Sequence, residues 1–259
     1  MIQTVADIRA RLQEADAAEF AVLERSLVAD TRKGVLSAIE SARRRLEAQE
    51  AEARRIAGLY SYERELAQGD IAVGLDEVGR GPVAGPLTVG AVVLPAEPMI
   101  LGLNDSKQLS PQHREELASQ IKEIALAWTV QHVEADSIDA MGMTSSLRFA
   151  FLKAIGAIEA AGVVPDAVLL DGNPMRLDPR EKNVIKGDAK CASIAAASIV
   201  AKVERDGIMR RFADEYPEYG FDANKGYASK EHIEAIKTYG LCPLHRVSFC
   251  TAFTQESLF

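Results

Sequence analysis

Two acids, Asp76 and Glu77, stand side by side where an apolar run ends in "GLDEVGRGPVAGPL", residues 74 to 87. Asp171 closes a second apolar run, "AVLLDG", and Asp206 lies in "AKVERD". If these acids converge they repel one another. Two like charges about 4 Å apart cost roughly 4 kcal/mol at an effective dielectric of about 20. Such a group must take up protons or hold a hard cation, and all-oxygen donors suit Mg²⁺ or Mn²⁺. Two such ions, roughly 3.5–4 Å apart, can activate water and steady the leaving oxygen of a phosphodiester. Each acid also has a plainer use. An acid at a strand end commonly forms a turn or caps a helix, and Gly172, Asn173 and Pro174 follow Asp171. Asp206 taken alone reads as a surface acid.

Arg80 stands between Gly79 and Gly81 in "GRGPVAG". This is no dinucleotide fingerprint, because that motif leads into a helix. Here Pro82 follows, and "LTVGAVVLP" downstream reads as a strand. No G-x-x-x-x-G-K-[ST] occurs either. The glycines make a tight turn, or they admit a sugar–phosphate backbone with Arg80 supplying hydrogen bonds.

The elements that must position these residues follow from the pattern. "IAVGL", "LTVGAVVLP", "LAWTVQHVEA" and "DAVLLDG" read as strands. "SIDAMGMTSSLRFAFLKAIGAIEAAG" reads as one helix ending at Gly162, and "CASIAAASIVAKVERDGIMRRFADEYP" as another stopped near Pro217. The class is α/β, a mixed sheet with helices on its faces. If the first and fourth strands are parallel neighbours, Asp76 and Asp171 meet at their carboxyl ends, where ligands gather in open sheets. The small residues of "ASIAAAS" let their helix lie close on the sheet. Asp206, about four turns along from Cys191, could then reach the same rim.

Residues 1 to 69 have another texture. They lack proline, and Val5, Ile8, Leu12, Val35, Ile39, Ala42 and Leu46 fall at helical spacing. Two or three helices are predicted, the last one long, with Arg43, Arg44 and Arg45 on a solvated face. "AQGD", residues 67 to 70, is the joint between this helical extension and a main domain of residues 70 to 259.

Composition bounds the rest. With 47% hydrophobic and 26% charged residues among 259, the chain reads as an ordinary soluble globular protein. No apolar run approaches the roughly 20 residues that span a bilayer, and the start lacks the apolar centre of a signal peptide. Cys191, Cys242 and Cys250 form no C-x-x-C pair, so reduced thiols in the cytoplasm are expected. A net charge of −8 argues against coating nucleic acid by bulk attraction, though it leaves room for a local basic groove.

The segments "GLDEVGRGPVAGPL", "NDSKQLS", "VLLDG", "IKGDAKCASIAAASIVAKVERD" and "NKGYASKEH", in this order, resemble bacterial ribonuclease HII, the type 2 RNase H, over roughly residues 71 to 250. The resemblance implies an RNase H-like mixed five-stranded sheet flanked by helices. It also implies an endoribonuclease that uses Mg²⁺ or Mn²⁺ to cut the RNA strand of RNA/DNA hybrids and the 5′ side of ribonucleotides embedded in duplex DNA. Asp76, Glu77, Asp171 and Asp206 would hold the metal. Gly79, Arg80 and Gly81 would read the ribose 2′-OH, which is what separates RNA from DNA. Tyr227 would stack on the deoxyribose beyond the ribonucleotide, and Lys107 and Lys186 would hold phosphates. Some relatives carry a helical extension thought to grip substrate. Departures occur at Cys191, where serine is expected, at Ala228 and Ser229, where glycine and threonine are expected, and near Gly142, where an asparagine is expected. No histidine is needed, so His113, His132, His232 and His245 are expected to be structural or exposed. Gln255, Leu258 and Phe259 resemble a sliding-clamp docking peptide. A monomer is expected. The rival readings are another RNase H-fold nuclease, such as a transposase or junction resolvase, and a non-catalytic nucleic-acid binding protein.

Overall fold

The structure, a computed structural model, describes residues 4–69 and 71–254. The chain divides into two compact units, up to Ala57 and from Gly58 onward. The first unit holds α1 (Val5–Glu14), α2 (Ala17–Ser26) and the start of α3 (Lys33–Ala67). Both short helices open with a reciprocal cap, Thr4 with Asp7 and Asp16 with Glu19, which satisfies otherwise orphaned N–H groups. The periodic positions read from the sequence do pack together. Ile8, Leu12, Val35, Ile39 and Ala42 form one core with Phe20, edged by Val5 and Leu46.

The second unit is built on β1 (Ala72–Val78), β2 (Leu87–Val93), β3 (Ala127–Val133), β4 (Ala167–Asp171) and β5 (Glu181–Val184), in the order β3-β2-β1-β4-β5. β1, β2 and β3 pair antiparallel, while β4 and β5 join β1 in parallel. The expected mixed five-stranded sheet is therefore present, with β1 and β4 as parallel neighbours. β5 was not legible in the sequence, because three of its four residues, Glu181, Lys182 and Asn183, are polar. Charged side chains of this kind suit a sheet edge.

The helices are α4 (Pro111–Ile124), α5 (Ala135–Met141), α6 (Met143–Ala160), α7 (Ala192–Glu215), α8 (Phe221–Asn224), α9 (Lys230–Tyr239) and α10 (Val247–Thr254). The single helix predicted before Gly162 is two, because Gly142 turns the chain at φ 79°. Along β1 the side chains alternate. Val73 and Leu75 pack with Phe151, Ala154 and Ile155 of α6. Ala72 and Gly74 face the other way, toward α7. A Cβ built on Gly74 would lie 2.2 Å from the Ser193 carbonyl carbon, and one on Gly90 2.4 Å from the Ala197 oxygen. α7 thus lies backbone to backbone on the sheet, as its small residues implied.

The last turns of α3 belong to this second unit. Tyr60 Oη accepts from the Ile100 N–H at 3.2 Å, and the Leu66 carbonyl accepts from Lys182 Nζ at 2.7 Å. Cys191 stands at the N-cap of α7 without a side-chain cap bond. Glu63 takes that duty instead, accepting from both the N–H and the hydroxyl of Ser193 at 2.8 Å each. Replacing Glu63 by alanine strands two buried donors, so the full chain is expected to lose about 1–3 kcal/mol. Urea unfolding measures this, and an unchanged midpoint would remove Glu63 from the account of α7.

Candidate active site

Strand alternation sends the adjacent acids to opposite faces of the sheet. Asp76, in phase with Gly74, points toward α7, where the Ser198 hydroxyl bonds it. Ser198 is in turn 2.9 Å from the Ser106 hydroxyl. Glu77 points toward α6 and lines a cleft of about 250 Å³ together with Arg80, Thr144, Leu147, Asp171 and Asn173. Because Leu75 is in register with Leu170, Asp171 comes level with Asp76 on the neighbouring strand. Its Oδ1 accepts from the Gly187 N–H at 2.6 Å.

The electrostatics follow from this crowding. Burial first, then the charges of Glu77 and Asp171, push the Asp76 carboxyl well above its usual range, against the Ser198 hydrogen bond. Burial also raises Glu77, with Asp171 adding to the rise and Arg80 opposing it. Arg80 Nη1 lies 3.0 Å from Glu77 Oε1, and its side chain stays 59% exposed. Among the described residues, no three His, Cys, Asp or Glu side chains stand at the spacing of one shared ion. The donor set nonetheless fits a hard divalent cation, because buried carboxylates that raise one another are relieved by positive charge.

Asp206 has a partner of its own. Its carboxylate pairs with Lys202 Nζ at 2.8 Å, both side chains being largely buried. It lies two turns beyond Ser198 on α7, roughly 12 Å of rise. The acid that the fold does bring to Asp171 is Asp188, which follows the turn at Lys186 and Gly187. Asp188 is 9% exposed. Its carboxyl is raised by burial, then by Asp105 and Asp171, against the pull of Lys107. Asp188 lies in the quoted segment "IKGDAKCASIAAASIVAKVERD", but its polar neighbours and lack of an apolar run hide it from a reading by strand ends.

Lys107 is exposed at this edge, and Lys186 is exposed with a left-handed backbone at φ 57°. The loop after β1 is tied to the Lys225–Tyr227 turn, for the Val83 and Ala84 N–H groups both donate to the Gly226 carbonyl. Gly81 consequently sits beside the Tyr227 ring, 3.8 Å from where a Cβ would stand, and Tyr227 is 46% exposed.

Two arginines that the sequence did not single out hold the loop from within. Arg205 donates to the carbonyls of Ala84, Pro86 and Lys225. Arg246 donates to those of Gly79, Arg80, Pro82 and Gly85. Burial lowers Arg246 to about 10, so it remains charged at neutral pH. The histidines are structural or exposed, as expected. The Cys242 N–H donates to His245 Nδ1, which leaves Nε2–H to donate to His232 Nε2 at 3.0 Å and His232 Nδ1–H to donate to the Tyr227 carbonyl at 2.8 Å. His132 bonds Thr88, and His113 is on the surface.

Solved structures share this architecture. The ribonuclease H2 from Pyrococcus horikoshii OT3 aligns with a TM-score of 0.60 and 28% identity, over 72% of this chain and 100% of that one. The ribonuclease HII from Archaeoglobus fulgidus, solved in a complex with PCNA, aligns with a TM-score of 0.60 and 27% identity, over 72% and 98%. Sheet order, flanking helices and rim acids define a metal-dependent nuclease of the RNase H type. Residues 73–252 match the family model described as Ribonuclease HII, and residues 4–67 match the Ribonuclease HII N-terminal domain. The Ribonuclease HII of Halalkalibacterium halodurans is 41% identical over 248 residues, covering 95% of this chain and 93% of that protein. The chain belongs to the ribonuclease HII family.

The raised Asp76 carboxyl has a consequence for stability. Below the usual carboxylate range both folded and unfolded states are protonated and nothing is lost. As pH rises, the unfolded state ionises first, so stability falls until the folded carboxyl has titrated. Asp76→Asn is therefore expected to raise the thermal midpoint in chelator at pH 8, with the gain shrinking toward pH 4. A variant no more stable than the parent at pH 8 would contradict the crowding of this rim.

Proposed function

We propose that this protein hydrolyses the RNA strand of RNA/DNA hybrids and cuts on the 5′ side of ribonucleotides embedded in duplex DNA, leaving 3′-OH and 5′-phosphate ends. The observation that carries this reading is the meeting of rim acids with a glycine–arginine–glycine turn that has an exposed tyrosine at its side. Asp76, Glu77 and Asp171 would hold two Mg²⁺ or Mn²⁺ ions, and we place the fourth carboxylate at Asp188, with Asp206 acting through Lys202. Such ions, when bound, supply activated water and stabilisation of the leaving 3′ oxygen. The chain's own residues do the selecting. The Gly79–Gly81 turn meets the ribose hydroxyl, Tyr227 stacks on the next sugar, and Lys107 and Lys186 hold phosphates.

Incubating the protein with a duplex bearing one ribonucleotide, with and without Mg²⁺ or Mn²⁺, tests this. A metal-dependent cut 5′ to the ribonucleotide is expected. Cleavage of the all-DNA duplex would favour a transposase or resolvase activity, and binding indifferent to metal and carboxylates would favour a non-catalytic role. Asp171→Asn and Asp188→Asn are each expected to lower turnover at least about 10²-fold, and Asp206→Asn less than tenfold. The opposite order would return the fourth position to Asp206. Tyr227→Ala should weaken junction cutting about tenfold, the scale of one lost aromatic stack.

The two ends of the chain are assigned to grip and delivery. A groove of about 440 Å³ lined by Arg9, Gln13, Ser37, Ser41 and Arg45 supports a substrate-gripping role for the N-terminal helices. Gln255, Leu258 and Phe259 lie outside the described residues, and we propose that they dock on a sliding clamp, in keeping with the PCNA complex of the Archaeoglobus relative. Three free cysteines accord with a cytoplasmic setting, and no described helix is long and apolar enough to cross a membrane. We take the protein to act as a monomer. Two truncations test the ends. A chain starting at Gly58 should bind duplex more weakly, and one ending at Thr254 should lose clamp pull-down while keeping activity on short duplexes. Unchanged binding or unchanged pull-down would end the respective assignment.

A further inference from the structure

We propose that Arg246, buried behind the Gly79–Gly81 turn, is a positioning residue that aims the turn's backbone amides at the ribose hydroxyl. The inference rests on the functional reading above. Arg246 is fully buried. Its guanidinium donates to the Gly79 carbonyl at 2.7 Å, Arg80 at 3.1 Å, Pro82 at 2.8 Å, and Gly85 at 2.8 and 3.1 Å. A trans peptide is planar, with its C=O and N–H on opposite sides. Drawing the Gly79 and Arg80 carbonyls inward therefore turns the Arg80 and Gly81 N–H groups outward. Among the described residues no hydrogen bond uses either N–H. Gly81 stands beside the Tyr227 ring, and the Arg80 side chain is held by Glu77.

A planar fork with five donors suits this cage as no other side chain does. Lysine keeps the charge but offers three donors from a single nitrogen, so it cannot reach carbonyls on both sides of the loop. The amides would then lose their common aim. Backbone donors serve here because a ribose hydroxyl accepts a hydrogen bond that a deoxyribose lacks. The Arg80 side chain, exposed and paired with Glu77, is not required for that discrimination. Selectivity for ribose then depends on a residue that itself never touches substrate.

The test uses the full chain in the cleavage-blocked Asp76→Asn background with Mg²⁺ present. Fluorescence anisotropy compares a duplex carrying one ribonucleotide with the matching all-deoxy duplex. The background should prefer the ribonucleotide duplex. Adding Arg246→Lys should reduce that preference about tenfold, the scale of one or two lost hydrogen bonds, with all-deoxy affinity unchanged. A preference that survives Arg246→Lys overturns the inference, as does an equal loss of affinity for both duplexes. A background without any ribose preference overturns the functional reading, and this inference with it. Should Arg246→Lys fail to fold, amide NMR of the background protein decides. The Arg80 and Gly81 signals should shift with the ribonucleotide duplex and not with the all-deoxy one, and equal shifts or none would refute the aim.

Discussion

Helix α7 rests directly on the backbones of β1 and β2, because Gly74 and Gly90 present no Cβ to it. The close approach sets the whole rim. It brings the Ser198 hydroxyl onto Asp76 and shuts water away from that carboxyl. Any side chain at Gly74 would meet the Ser193 backbone, which cannot yield as a side-chain end could. Glu63 supports the same contact by bonding Ser193 in the first turn of α7. At a rim of acids the close fit has an electrostatic consequence, because burial denies their mutual repulsion its screening.

Positive charge is managed around that rim with equal care. Arg205 and Arg246 are fully buried and spend their donors on backbone carbonyls. They fix a loop rich in glycine and proline that has no regular structure to hold it. Arg80, paired with Glu77, and Lys107 remain exposed at the same rim. A chain of net charge −8 thus keeps exposed cations beside a loop that buried cations hold.

Much of this was legible from residues alone. Asp76, Glu77 and Asp171 sat at the ends of apolar runs, and parallel pairing of those runs was enough to predict their meeting. The small-residue run at α7 announced close packing. Other features left no local mark. The break at Gly142 lies inside a pattern that is helical on both sides. β5 is too polar and short to read as a strand. Arg246 and the His232–His245 pair resemble surface residues until burial is known.

The sequence by itself determined the fold class, the helical extension, and which strand ends carry acid, because hydrophobic period and strand-end chemistry are local properties. Only the tertiary structure decided that Asp188 stands beside Asp171 while Asp206 pairs with Lys202, and that two buried arginines hold the loop after β1. The reason is physical. Burial and charge coupling depend on distances across the sheet, and residues 35 apart on the chain carry no record of whether their carboxylates share one solvent-poor space.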